Sequence, residues 1–192
     1  QPTLLPVDTV VLHHLREGNH LPPEEWRAVT AEGQQLLAVR KALEILARRQ
    51  KTEHELRTAL ARSFDATAIE AAVERMRSLG YLNDEAWARN YVASGRAAER
   101  GRALLRHELG QHGVPDPLVV TAIEEHDDRA AALAAARKRM RSLRHLDESK
   151  RSKRLYDFLR RRGFSSSISR DAMTDVLAAD ETLDGLEDAD PA

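Results

Sequence analysis

The 192-residue chain contains no cysteine, which excludes disulfides and thiolate-held metal sites. It has few aromatic residues, three Tyr, three Phe and two Trp, a poor supply for a platform on which successive bases stack. Long apolar runs are also missing. The longest, residues 130–136, is mostly alanine and falls far short of the ~20 residues that span a bilayer. No basic–apolar–small leader opens the chain, so the expectation is a cytoplasmic protein with no membrane contact. Neither the G-x-x-x-x-G-K-[ST] phosphate loop nor the G-x-S-x-G nucleophile elbow occurs. Ser165, Ser166 and Ser167 stand where a helix N-cap is expected instead. The histidines are scattered: His107 and His112 are five apart instead of the i, i+4 of a helical zinc pair, and His13 and His14 have no third ligand nearby. The chain therefore reads as a non-enzyme, with no catalytic residue, no metal and no cofactor expected.

What is present is charge, strongly segregated beneath a formal net of −1. Residues 1–39 carry a net −3 and residues 40–128 a net −1. Residues 129–170 hold fourteen basic side chains against three acidic ones, and residues 171–192 hold eight acidic and no basic ones. A basic block of this size lets a nearly neutral protein engage a polyanion. Of the thirty basic residues twenty-five are Arg. That choice favours bidentate contact with phosphate or carboxylate, although a GC-rich genome produces the same bias.

From about Leu36 onward the pattern is helical. Leu36, Val39, Leu43 and Leu46 recur at spacings of three and four, one face of a helix. Thr52 and Glu55 form a capping-box signature for a second helix. A third runs from Asp65 through Met76, with Gly80 as its left-handed stop. The pairs Leu56/Leu60, Leu105/Leu109 and Leu155/Leu159 then recur with their second members 49 and 50 residues apart. Each pair precedes a turn with an apolar residue (Phe64, Val114, Phe164) and a further helix, on which Val73, Ile123 and Met173 correspond. In the second unit Asp116 is expected as N-cap and Pro117 as first helical residue. The expected fold is all-α: three tandem three-helix repeats in an elongated, curved array after a short N-terminal extension. The expected boundaries are residues 1–35 for the extension, 36–82, 83–128 and 129–178 for the repeats, and 179–192 for a flexible acidic tail. Within the extension, residues 7–15 fit either a strand or a short helix, and residues 24–29 a short helix.

The stretch "RSLGYLNDEAWARNYVASGR", residues 77–96, gathers an unusual share of the aromatics. Gly80 ends one helix; Asn83, Asp84 and Glu85 begin the next, with acids complementing its dipole. Trp87 and Tyr91 are i and i+4 on one face, and Tyr81 and Leu82 are placed to fill the seam. The expected role of Gly80, Tyr81, Leu82, Asn83, Asp84, Trp87 and Tyr91 is packing at an inter-repeat joint.

Three segments, "ALEILARRQKTEHELRTAL", "GYLNDEAWARNYVASGRAAERGRALLRHEL" and "RLYDFLRRRGFSSSISRDAM", occur in this order, and over roughly residues 36–178 the sequence resembles the RecX family of recombination regulators. Asn83 stands where that family's pattern has its first Asp, and Trp87 where it has Phe. The resemblance implies an elongated helical protein without catalytic residues that docks in the groove of the RecA filament on single-stranded DNA. It further implies restraint of filament growth and inhibition of ATPase, co-protease and strand-exchange activities.

The residues expected at a partner surface are Arg48 and Arg49 in the first repeat and Arg96, Arg100, Arg102 and Arg106 in the second. The third offers Arg137, Lys138, Arg139, Arg141, Lys150, Arg151, Lys153, Arg154, Arg160, Arg161 and Arg162. The alternative reading is a sequence-tolerant DNA-binding module, since the basic block would neutralise phosphates. No single helix carries the Arg/Asn/Gln set that reads base edges, and the acidic tail would compete with DNA. A monomer is expected from repeats that stack on one another.

Overall fold

In a computed structural model, residues 4–95 and 97–187 are described, with side chains described up to Asp180. Among these residues there are ten α-helices and no strand. In chain order they are α1 (Val7–Leu12), α2 (Pro23–Arg48), α3 (Glu53–Leu60), α4 (Ala66–Ser78), α5 (Asp84–Ala93), α6 (Arg102–Gln111), α7 (Asp116–Ile123), α8 (Asp128–Met140), α9 (Glu148–Arg161) and α10 (Ser166–Glu187). They divide between two compact units. One runs to Trp87 and takes in His112–Val114; the other comprises Ala88–Gln111 and continues from Pro115.

Local sequence sets most helix boundaries. Thr52 caps α3 by accepting from the Glu55 amide (3.2 Å), Asp65 caps α4 through Ala68 (2.8 Å), and Asn83 caps α5 through Ala86 (2.8 Å). Ser165 accepts from the Ile168 amide (3.2 Å) at the head of α10. Gly80 ends α4 at φ 73°, which lets the Tyr81 amide turn back to the Met76 carbonyl (3.0 Å).

Three expectations are corrected, and the choice left open at residues 7–15 is settled. Residues 24–35 do not belong to a separate extension helix; they are the first half of the 26-residue α2, which runs unbroken across position 35. The interior Gly33 costs about 1 kcal/mol of helix propensity. Its bare backbone admits α1, however: a Cβ there would stand 2.8 Å from Leu5 Cδ2 and 3.1 Å from Pro6 Cδ. Residues 7–12 are helix, not strand. At α7 the N-cap is Pro115, whose carbonyl accepts from Leu118 (2.9 Å) and Val119 (3.1 Å), and Asp116 makes no capping bond. Finally, α10 continues to Glu187, so the acidic segment begins inside a helix, with Asp180 only 5% exposed; residues 188–192 lie outside the described residues.

The three leucine pairs are all fully buried. In the first unit Leu56 and Leu60 join Ala38, Ala42, Ile69, Val73 and Met76. In the second, Leu155 and Leu159 join Phe164 and the alanine face of α8, Ala131, Ala132, Ala135 and Ala136, on which α9 and α10 pack. Small side chains let these helices approach closely, so a stretch with almost no large apolar residue still forms a core.

Two polar connections recur with the repeat, each inside its own unit. In the first, Thr52 Oγ1 donates to the His112 carbonyl (2.6 Å), and Asp84 Oδ1 accepts from the Glu53 amide (2.9 Å) at the start of α3. In the second, the Gly101 amide donates to the Arg162 carbonyl (2.8 Å), and Asp128 Oδ1 accepts from the Arg102 amide (2.9 Å) at the start of α6. The turns are packed without slack. A Cβ on Gly113 would fall 2.2 Å from His54 Cβ, and one on Gly163 would fall 2.5 Å from the Leu104 amide nitrogen.

Candidate functional site

The aromatic stretch is built into this packing, except for Tyr81. Trp87 lies against His112, ring centroids 4.8 Å apart and planes tilted by 55°. Tyr91 Oη donates to Glu108 (3.0 Å) and accepts from Arg100 (3.0 Å), and Arg100 also pairs directly with Glu108. Leu82 is buried, but Tyr81 is 59% exposed. The turn at Gly80 uses the Tyr81 amide and leaves Tyr81 largely in solvent, while Leu82 packs into the core of the first unit.

Two carboxylates in the first unit are electrostatically tuned. Glu55 does not reach back to the Thr52 amide as a capping box requires. It accepts instead from His112 Nδ1 (3.0 Å), with Lys51 at 3.5 Å and Arg49 at 3.6 Å. Burial alone would raise its pKa, but the His112 hydrogen bond and these cations outweigh burial and hold it below the ordinary carboxylate range. Asp84 goes the other way: burial pushes its carboxyl up, opposed by its bond from the Glu53 amide.

The cations expected at a partner surface divide by what they touch. Arg100 is committed to Glu108, and Arg102 donates to the Glu124 (2.9 Å) and His126 (2.7 Å) carbonyls that end α7. Arg49 faces Glu55, Lys150 pairs with Asp147 (2.7 Å), and Arg160 donates to the Phe164 carbonyl. Lys138 (2.7 Å) and Arg162 (3.2 Å) both reach Glu99. Arg151 binds Asp180 Oδ2 (2.9 Å), while Arg144, which charge counting did not single out, takes Asp180 Oδ1 (3.0 Å). Arg139 lies on the Phe158 ring. Arg96 lies outside the described residues.

The remaining expected cations, Arg48, Arg106, Arg137, Arg141, Lys153, Arg154 and Arg161, are exposed and have no acid partner among the described residues. Lys153, Arg154 and Arg161 share the solvent side of α9, opposite its buried Leu155 and Leu159. Arg154 and Arg161, seven residues apart, return to nearly the same angular position and stand about 10 Å apart along the axis. Arg137 and Arg141 are one turn apart at the end of α8. The second unit thus presents a face of uncompensated guanidinium and ammonium groups suited to a row of anions. Counting charge along the sequence does not show which of these cations are neutralised, because Glu99 and Asp180, which pair with several of them, lie far along the chain. Among the described residues no cluster of His, Asp or Glu is placed to hold a metal, and no helix is long and apolar enough to cross a membrane.

Comparison with known proteins agrees with this architecture. Residues 38–76 match the family description "RecX, first three-helix domain", and residues 127–173 match "RecX, third three-helix domain". A Regulatory protein RecX of Prosthecochloris aestuarii is 37% identical over 142 residues, 73% of this chain and 93% of that one. One from Thermus thermophilus is 35% identical, covering 70% and 89%, and one from Amycolatopsis mediterranei is 32% identical, covering 88% and 95%. Two crystal structures share the fold. One, of regulatory protein RecX, has a TM-score of 0.70 at 22% identity over 85% of this chain and 83% of that one. The other, of RecX from Lactobacillus salivarius, has 0.65 at 18% over 74% and 96%. With three-helix domains matched in both units, and relatives above 30% identity aligned over most of their length, the chain belongs to the RecX family of regulatory proteins.

Proposed function

We propose that this chain binds the RecA filament on single-stranded DNA and inhibits its growth, ATPase, co-protease and strand-exchange activities, acting by contact and not by catalysis. Family membership supports the partner. The observation that carries the mode of binding is the set of exposed, acid-free cations on α9 and at the end of α8. We further propose that the binding elements are three repeats at about residues 36–82, 83–128 and 129–178, the first sharing α2 with the residues before 36, as the recurring leucine pairs and interlocking bonds support. A filament groove presents carboxylates and phosphates at regular intervals, and a rigid helix bearing spaced cations engages several together.

The test is a titration of RecA's DNA-dependent ATPase at substoichiometric amounts of this protein, using the wild type and a Lys153→Ala/Arg154→Ala/Arg161→Ala variant. These side chains are exposed and make no hydrogen bond or ion pair among the described residues, so helix content should not change. Three exposed charge contacts at about 0.3–0.7 kcal/mol each amount to a roughly fivefold to thirtyfold higher half-inhibitory concentration. Unchanged inhibition by the variant removes this face from the interface.

The alternative, sequence-tolerant DNA binding, is favoured by the same uncompensated face and needs no recombinase. It separates by assay: plain DNA binding leaves RecA's ATPase unaffected once DNA is in excess.

A further inference from the structure

Arg139 is a cation whose side chain has no acceptor among the described residues. It lies on the last turn of α8, half-buried, and its Nε is buried with no hydrogen-bond partner. Among the described residues no carboxylate pairs with it. What holds it is Phe158, over whose ring its guanidinium carbon stands 5.6 Å from the centroid. The Arg162 guanidinium stands 4.8 Å from the same centroid. Arg162 also donates to Glu99 Oε2 (3.2 Å) and to the Glu99 carbonyl (3.3 Å), and Lys138 Nζ lies 2.7 Å from Glu99 Oε1. Glu99 therefore serves two of these three cations, and Arg139 has no carboxylate among the described residues.

A partly buried charge left without a counter-ion is costly, and a buried N–H without an acceptor adds to the cost. The cation–π contact with the ring offsets some of it and restrains the side chain, so less rotamer entropy is lost when a forked anion arrives. Because Nε is buried, an anion with two adjacent oxygens would supply the counter-charge through the terminal guanidinium nitrogens. On α9, Arg154 and Arg161 lie four residues before and three after Phe158, on its flank of the helix, and both lack acid partners. A lone partner carboxylate would leave those two unused; a chain of phosphates would not.

We propose that Arg139, Arg162 and Lys138 form a receptor for a backbone phosphate of single-stranded DNA, with Phe158 as the positioning residue that stacks both guanidiniums. This rests on the filament reading for the source of the strand, but its test does not need the recombinase. The probe is a fluorescein-labelled oligothymidylate, titrated with the full chain by anisotropy across a salt series. Arg139→Met should weaken binding about tenfold and reduce the log–log salt slope by about 0.7, the value for neutralising one phosphate fewer on a single strand. Its thermal stability should not fall, because the substitution removes an unaccepted charge. Phe158→Leu, which keeps every charge, should weaken binding about threefold, and the two effects should not multiply in the double variant.

Wild-type affinity and slope in Arg139→Met overturn the proposal, as does a wild type with no measurable oligonucleotide binding. If Arg139→Met loses RecA inhibition while its DNA binding is intact, the site takes an acidic side chain of the recombinase and the phosphate assignment is wrong. Binding that depends on Arg139 in a protein without effect on RecA supports this site and sinks the regulatory reading.

Discussion

Three glycine-to-alanine changes should separate backbone conformation from close packing. Gly110 is in the exposed last turn of α6, and a Cβ there meets nothing within 4 Å. Gly110→Ala should stabilise by about 0.5–1 kcal/mol, the helix-propensity difference. Gly80 has φ 73° and equally open surroundings, so Gly80→Ala should cost only the left-handed penalty of about 1–2 kcal/mol. Gly163 has φ 85°, and the new Cβ would fall 2.5 Å from the Leu104 amide nitrogen and 2.6 Å from Leu104 Cβ. The obstacle is main chain, so the turn must move, straining the 2.8 Å bond from the Gly101 amide to the Arg162 carbonyl. Adding about 1–3 kcal/mol for overpacking and about 1 for the bond to the left-handed term gives about 3–6 kcal/mol. Urea melts followed by far-ultraviolet circular dichroism, each read from the transition of the unit carrying the change, measure all three. The ordering is the test. If Gly163→Ala costs no more than Gly80→Ala, the turn does not abut α6 and the interlocking of the two is wrong.

Asp180→Ala should destabilise the second unit by about 3 kcal/mol, because it strips the acceptor from Arg151, whose side chain is 17% exposed. An apolar pair, Asp180→Leu with Arg151→Met, should recover most of that in the same thermal melt; equal losses in both variants would refute the ion-pair account. The first unit should lose stability in acid. Glu55 has a folded pKa below its unfolded value, so its contribution is complete above the ordinary carboxylate range and disappears as pH falls through the folded pKa. Melts between pH 7 and pH 3 should show this loss, and Glu55→Gln should flatten it; an unaltered pH profile in that variant would discard the Glu55–His112 assignment.

Sequence legibility followed the range of each interaction. The caps at Thr52, Asp65, Asn83 and Ser165 each involve an amide three residues on, so residue type and spacing suffice to find them. The leucine pairs were equally legible, since spacing of four on a helix forces a common face. What escaped was non-local. Gly33 carries no expectation, yet its bare backbone is where Leu5 and Pro6 pack against α2. Asp84 reads as an acid serving its own helix, yet its carboxylate bonds to an amide 31 residues earlier. The basic block reads as one surface, but Glu99 and Asp180 take up four of its cations. Phe158 looks like one more core aromatic, and nothing in the one-dimensional pattern shows two guanidiniums lying on it.

The carboxylates of Asp84 and Asp128 give these repeats a direction. In each case the acid that completes the start of an earlier helix belongs to a later one. The first amide of α3 therefore lacks its side-chain acceptor until α5 has been made, and that of α6 until α8 has been made. A fragment cut just ahead of either aspartate leaves that first-turn amide to water, while one that keeps the aspartate can retain the bond.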